Sequence, residues 1–156
     1  MIRIRATDEM AEAVHQEFEN ADVVIKAAAV SDYAPRASAA HKIKKGPNEW
    51  VLPLKRSEDI LRALGRQKKH QVLVGFAAET RDLERNATQK LAEKNLDIIV
   101  GNLVGPSNSG FASDINTVTF FFRDGTKEVL PSMEKQAIAH ILLDRIVEKA
   151  MMSATQ

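Results

Sequence analysis

The stretch "DVVIKAAAV", residues 22–30, decides how this chain is read. It is β-branched at its start and apolar nearly throughout, the pattern of a strand covered on both faces. Two further runs share that character, "QVLVGFA" (71–77) and "LDIIVGN" (96–102). Strands of this kind need helices above and below them, and the intervening segments supply the helices.

Thr7 is placed to cap a first helix, with Asp8 and Glu9 in its first turn and Met10, Ala13, Val14 and Phe18 along one face to about Asn20. Ser57 is expected to cap a second through "EDILRALGRQKK", with Ile60, Leu61 and Leu64 inward. Thr80 begins a third, with Leu83, Ala87 and Leu91 inward, running to about Asn95. Pro131 and Ser132 open the last, in which Ile138, Ile141, Leu142 and Ile146 share a face.

"MIRIR" (1–5) alternates apolar and basic residues, as a half-exposed strand does. Residues 34–48 read as a loop carrying Pro35, Gly46 and Pro47, and "EWVLPLK" (49–55) as a short strand that Pro53 confines to an edge or an end. "NTVTFFF" and "KEVL" form a hairpin turned at Asp124-Gly125. The expectation is a three-layer α/β/α sandwich with a mainly parallel, Rossmann-like sheet and a β-hairpin, one domain over residues 1–150 and a frayed tail over 151–156.

Composition narrows the function. The 156 residues carry a formal net charge of +1, so no global field favours nucleic acid or an anionic membrane. No segment approaches the roughly 20 apolar residues of a membrane helix, and the N-terminus is no signal peptide. Cysteine is absent, which excludes disulfides and thiolate chemistry and is compatible with a reducing cytoplasm. The four histidines have no metal-ligand spacing, and neither GxGxxG nor GxxxxGK[ST] occurs.

In open α/β sheets ligands bind beyond the carboxyl ends of the strands. Three groups of residues fall there. Asp32 follows a run of small residues that lets a ligand approach the backbone, and it suits a divalent cation or a ligand hydroxyl; Ser31-Asp32 is equally a turn. Lys42, Lys44 and Lys45 can fold over a polyphosphate or stand as a solvated charge run. Phe76 leaves a strand, Glu79-Thr80 lie at a helix start that favours anions, and Lys90 and Lys94 share a helix face where an anion between them would offset their repulsion. The two lysines also suit a helix C-terminus.

Taken in order, "AAAVSDY" (27–33), "KIKK" (42–45), "VGFAAET" (74–80), Lys90 with Lys94, "NLDIIVGN" (95–102) and "GFASDINTVTFFFRDG" (110–125) resemble the bacterial CTP-dependent phosphopantothenate–cysteine ligases over essentially the whole chain. The resemblance implies ligation of 4′-phosphopantothenate with cysteine through an acyl-cytidylate, with CTP as substrate and Mg²⁺ as cofactor. It places Ala27, Ala28 and Asp32 along the nucleotide, Asp32 at the triphosphate and its Mg²⁺, and Lys42 on a flap as the catalytic cation. Glu58, Asp59, Ile60 and Leu61 match a helix-start segment beside the nucleotide, although "SEDIL" stands where "NPDIV" is usual. Phe76 fits the base or ribose, and Lys90 and Lys94 fit further nucleotide contacts.

The family also implies a homodimer and fusion to a flavin-dependent decarboxylase, which these 156 residues do not contain. Its domain normally begins with a strand, a loop of the form "NxSSGxxG" and a helix; none is found here, so the chain resembles an N-terminally truncated synthetase. The alternatives are a CTP-binding fragment without full turnover and a non-catalytic interaction domain.

Overall fold

The computed structural model describes residues 1–37, 41, 42, 44, 46, 49, 51–105 and 114–153, the side chains of 152 and 153 apart. Helix α1 (Thr7–Phe18) leads into β1 (Val23–Lys26), followed by β2 (Tyr33–Pro35) and β3 (Leu54–Arg56). Next come α2 (Ile60–Gln67), β4 (Val72–Glu79), α3 (Leu83–Glu93) and β5 (Ile98–Leu103). Then follow β6 (Ile115–Asn116), β7 (Thr119–Phe122), β8 (Lys127–Val129), β9 (Met133–Glu134) and α4 (Lys135–Ser153).

Among the described residues five strands form the central sheet, in the order β1-β4-β5-β7-β8. β1, β4 and β5 are parallel, whereas β5, β7 and β8 run antiparallel to one another in turn. Successive residues of the two middle strands serve opposite layers. Leu73 and Ile99 join Phe18, Leu64 and Leu96 beneath α1, α2 and α3. Val74, Ile98 and Val100 join Phe120, Ile138, Leu142 and Ile146 beneath α4. The result is the expected α/β/α sandwich with a Rossmann-like sheet. Its hairpin turns at Gly125, whose φ of 84° is a conformation that a β-carbon disfavours.

Residues 22–30 do not form one covered strand. Only Val23–Lys26 is β, and it lies at the edge of the sheet with Val23 37% and Ile25 41% exposed. The apolar run suits burial, but among the described residues β4 is its one ladder neighbour. "MIRIR" is irregular instead of extended in a sheet, for the same reason: a strand without a ladder partner leaves its backbone groups to water. Ile2 and Ile4 instead line an apolar groove with Met10, Val14 and Val24.

Other differences are local. Asp59, not Ser57, caps α2, its carboxylate accepting from the Arg62 N–H at 3.2 Å. Thr7 lies inside α1, whose N-cap is Ala6. Thr80 does not open α3, because β4 continues to Glu79 along β5 and the helix starts after Asp82. The expected loop at 34–48 begins with β2, which pairs with β3; among the described residues of "EWVLPLK" only Leu54 and Lys55 are in a strand. Pro131 and Ser132 precede β9 rather than α4, which begins at Lys135, and residues 151–153 of the expected tail are helical. Lys45, Gly110–Ser113 and 154–156 lie outside the described residues.

Candidate functional site

β1, β4 and β5 point their carboxyl ends the same way, and a cleft opens on each face of the sheet there. Position along β4 decides which residues reach which cleft. Phe76 projects toward the α4 layer, while Gly75 and Ala77 face α2 and α3.

The cleft on the α3 side holds about 250 Å³ and is lined by charge. Lys90 and Lys94 stand on consecutive turns of α3 and its C-terminal cap. Lys90 Nζ donates to Glu79 Oε1 at 2.6 Å, and Asn86 donates to Glu79 Oε2 at 2.9 Å. Lys94 Nζ lies 3.0 Å from Asp59 Oδ2. Arg62 reaches back from α2 to Glu93 at 2.6 Å. Each of the two lysines is therefore paired with a carboxylate of the protein. Burial works against the charge of Glu79, yet the donors Lys90 and Asn86 outweigh it and hold the carboxyl below its ordinary range. Asp59 behaves alike, its burial overcome by hydrogen bonds from Lys94 and the Arg62 N–H.

On the α4 side lies a larger and mainly apolar cavity of about 790 Å³. Ala27, Ala28 and the 43% exposed ring of Phe76 line it, against Val100 and Leu142. The alanines follow β1 as irregular, exposed chain, so their backbone is open to a ligand.

Among the described residues, Asp32 and Glu58 line neither cleft. Asp32 is exposed, and its carbonyl accepts from the Ser57 N–H at 2.8 Å, which ties it to the start of α2. Glu58 bonds His15 of α1 at 2.7 Å. Ile60 and Leu61 are 1% and 6% exposed, so only their backbone can meet a ligand. Lys42 and Lys44 are exposed. Among the described residues no three His, Asp or Glu side chains converge as a metal site, and Asp32 could be one protein ligand at most.

The residues expected from the sequence thus fall into three groups: Asp59, Lys90 and Lys94 on one face, Ala27, Ala28 and Phe76 on the other, and Asp32 and Glu58 outside both clefts. Residues 1–150 match the family described as the DNA/pantothenate metabolism flavoprotein C-terminal domain. The chain belongs to that family.

Its relatives include the coenzyme A biosynthesis bifunctional protein CoaBC of Bacillus subtilis, 48% identical over 145 residues, which are 93% of this chain and 36% of that protein. CoaBC of Escherichia coli K12 is 39% identical over 90% of this chain and 36% of its own length. This member of the family therefore spans about a third of the curated relatives it matches. A solved C-terminal domain of CoaBC superposes with a TM-score of 0.77 at 37% identity, covering 99% of this chain and 66% of that one.

Lys26, Arg62 and Asn86 escaped the sequence reading. Lys26 had a signal, since it is the one charged residue inside the run "VVIKAAAV". Arg62 and Asn86 had none, because they join the site only through α2 and α3 packing side by side.

Proposed function

We propose that this chain is the nucleotide-binding part of a CTP-dependent phosphopantothenate–cysteine ligase acting in coenzyme A biosynthesis. The observation that carries this reading is the match over residues 1–150 to a family that includes curated relatives named for coenzyme A biosynthesis. The charged cleft at the strand ends supports it, because acyl activation by a nucleotide runs mostly on positioning and cationic stabilisation.

In the first half-reaction the carboxylate of 4′-phosphopantothenate attacks the α-phosphate of CTP, and pyrophosphate leaves. The amine of cysteine then attacks the acyl-cytidylate, the amide forms and CMP departs. Lys90 and Lys94 are held at the strand ends by Glu79 and Asp59, so they can turn to phosphate oxygens with little rearrangement. Phe76 offers its exposed ring to the base or ribose, and Ala27 and Ala28 let the nucleotide lie close to the backbone. The backbone at Glu58–Leu61 lines the same ligand. Lys42 neutralises phosphate charge or the acyl-cytidylate from its loop.

Asp32 would hold Mg²⁺ together with phosphate oxygens and water, an arrangement in which one or two carboxylates suffice. The ion supplies neutralisation of the triphosphate charge. A homodimer, a cytoplasmic setting and a flavin-dependent decarboxylase partner belong to the same reading.

Nucleotide binding without turnover is the second reading, and the half-exposed apolar residues at the open edge of β1 favour it, since one wall beside the site is bare. Mixing the protein with CTP, Mg²⁺, 4′-phosphopantothenate and cysteine separates the two. Release of pyrophosphate is expected; CTP binding without release would leave only the second, and no binding at millimolar CTP with the fold intact would leave an interaction domain. In a chain that turns over, Lys42→Gln should keep its melting temperature and lose roughly ten-fold or more in rate.

A further inference from the structure

Lys26 closes β1 opposite Gly75 of β4. Val24 packs into the α1–α3 core, and side chains two residues apart share a strand face, so Lys26 leaves toward α2 and α3. It is half-buried there, and its ammonium donates to the Ala28 carbonyl at 3.1 Å. Among the described residues it forms no ion pair with a carboxylate. The acceptor that could have served, Asp59, is already engaged by Lys94 at 3.0 and 3.2 Å and by the Arg62 N–H.

A partly buried cation ordinarily has a partner that offsets its lost hydration. This one has a neutral carbonyl and a second cation nearby. Burial first, and then the charge of Lys94, push the Lys26 ammonium below its ordinary pKa, with Asp59 acting the other way. At the charged cleft Arg62, Lys90 and Lys94 are matched by Asp59, Glu79 and Glu93, and Lys26, whose residue also borders the apolar cavity with Ala27 and Ala28, adds a fourth cation within electrostatic reach of Lys94 and Asp59. The surplus sits at Lys26, where the backbone of Ala27 and Ala28 leaves the strand.

We propose that Lys26 binds the phosphate end of the nucleotide, completing with Lys94 a two-ammonium seat for an oligophosphate beside Ala27 and Ala28. This rests on the nucleotide reading above and adds a residue to it. An arriving anion relieves the Lys26–Lys94 repulsion, so this pair gains more from ligand than two separated lysines would.

Calorimetric titration of wild type, Lys26→Met and Lys26→Arg with CTP, cytidine and inorganic tripolyphosphate tests the proposal. Methionine keeps most of the apolar stem and removes the charge. Lys26→Met should bind CTP and tripolyphosphate about ten-fold or more weakly and cytidine unchanged, with Lys26→Arg close to wild type. Wild-type affinity of Lys26→Met for both phosphates would overturn the Lys26 contact and leave the nucleotide reading standing. Lys26-dependent binding of tripolyphosphate with no preference for CTP would uphold the contact and sink the nucleotide reading; binding of neither by wild type would end both. As a check independent of the variants' folding, the Lys26 side-chain NMR signal of wild type should move on titration with tripolyphosphate, and a static signal overturns the contact.

Discussion

β7 and β1 are both apolar strands of the central sheet, and they end in opposite conditions. On the β7–β8 side, Phe120 is fully buried between β5 and α4, and the hairpin completes the ladder. On the β1 side, Val23 and Ile25 are more than a third exposed, and no strand pairs with the outer rim of β1 among the described residues. Apolar composition states what a segment gains from being covered. Whether it is covered depends on what lies beside it.

Truncation measures that difference most directly. Phe120→Ala should cost about 3–5 kcal/mol, because it empties a packed site. Ile25→Ala should cost about 1 kcal/mol, since its site is already open to water. Urea denaturation of both variants, with unchanged slopes, gives the two values. Equal costs would mean that β1 is covered in solution and that the contrast between the two strands is false.

A steric test separates the halves almost as sharply. A β-carbon on Gly65 would meet the Lys94 carbonyl oxygen at 1.9 Å, a backbone contact that no rotamer change relieves. Gly65→Ala should therefore destabilise by about 3 kcal/mol and pull Lys94 away from Asp59. At Gly46 no described residue lies within 4 Å, and the same change should stay within about 0.5 kcal/mol. Thermal melts distinguish these outcomes, and a neutral Gly65→Ala would mean that α2 and α3 pack less closely than described.

The same contrast explains what could be read from the sequence. The runs giving β4 and β5 are strands with both faces covered, as their unbroken apolar character requires, because each has a strand on either side and helices on both faces. The face of α4 marked by Ile138, Leu142 and Ile146 follows from spacing alone. β1 and "MIRIR" were misread because a pattern records preference and not the presence of a partner. The start of α2 was misplaced by two residues because Ser57 and Asp59 are both good caps, and only tertiary contacts select one. Within the candidate site the identities of Lys90, Lys94 and Phe76 were legible, but their distribution over two faces follows from the parity of β4, which depends on where that strand pairs.

Buried and exposed ion pairs continue the comparison at lower energy. Asp97 accepts from Lys68 at 2.6 Å and from the Leu73 N–H at 2.7 Å, in a partly buried setting beneath the covered half of the sheet. Asp97→Ala leaves both donors stranded and should cost about 2 kcal/mol by urea denaturation. Lys55 and Asp8 join the β2–β3 ribbon to α1 at 2.7 Å with both side chains well exposed, and Lys55→Met should cost under about 0.5 kcal/mol. A larger loss at Lys55 than at Asp97 would reverse the ranking of the two halves.

The smallest effect is read through pH. Glu79 has its carboxyl held below the ordinary value in the folded chain, burial opposing and the donors Lys90 and Asn86 prevailing. A depressed folded pKa stabilises above the unfolded value, about 4.3 for glutamate, and that contribution is lost as pH falls through the folded value. Glu79→Gln should therefore be less stable than wild type at neutral pH by about 1 kcal/mol, and the gap should close as the pH drops below roughly 4. Urea midpoints of the two proteins from pH 7 down to the acid limit of folding follow the closure. A gap that stayed constant over that range would mean that Lys90 gains nothing from the charge on Glu79, leaving that ammonium held by shape alone before a ligand arrives.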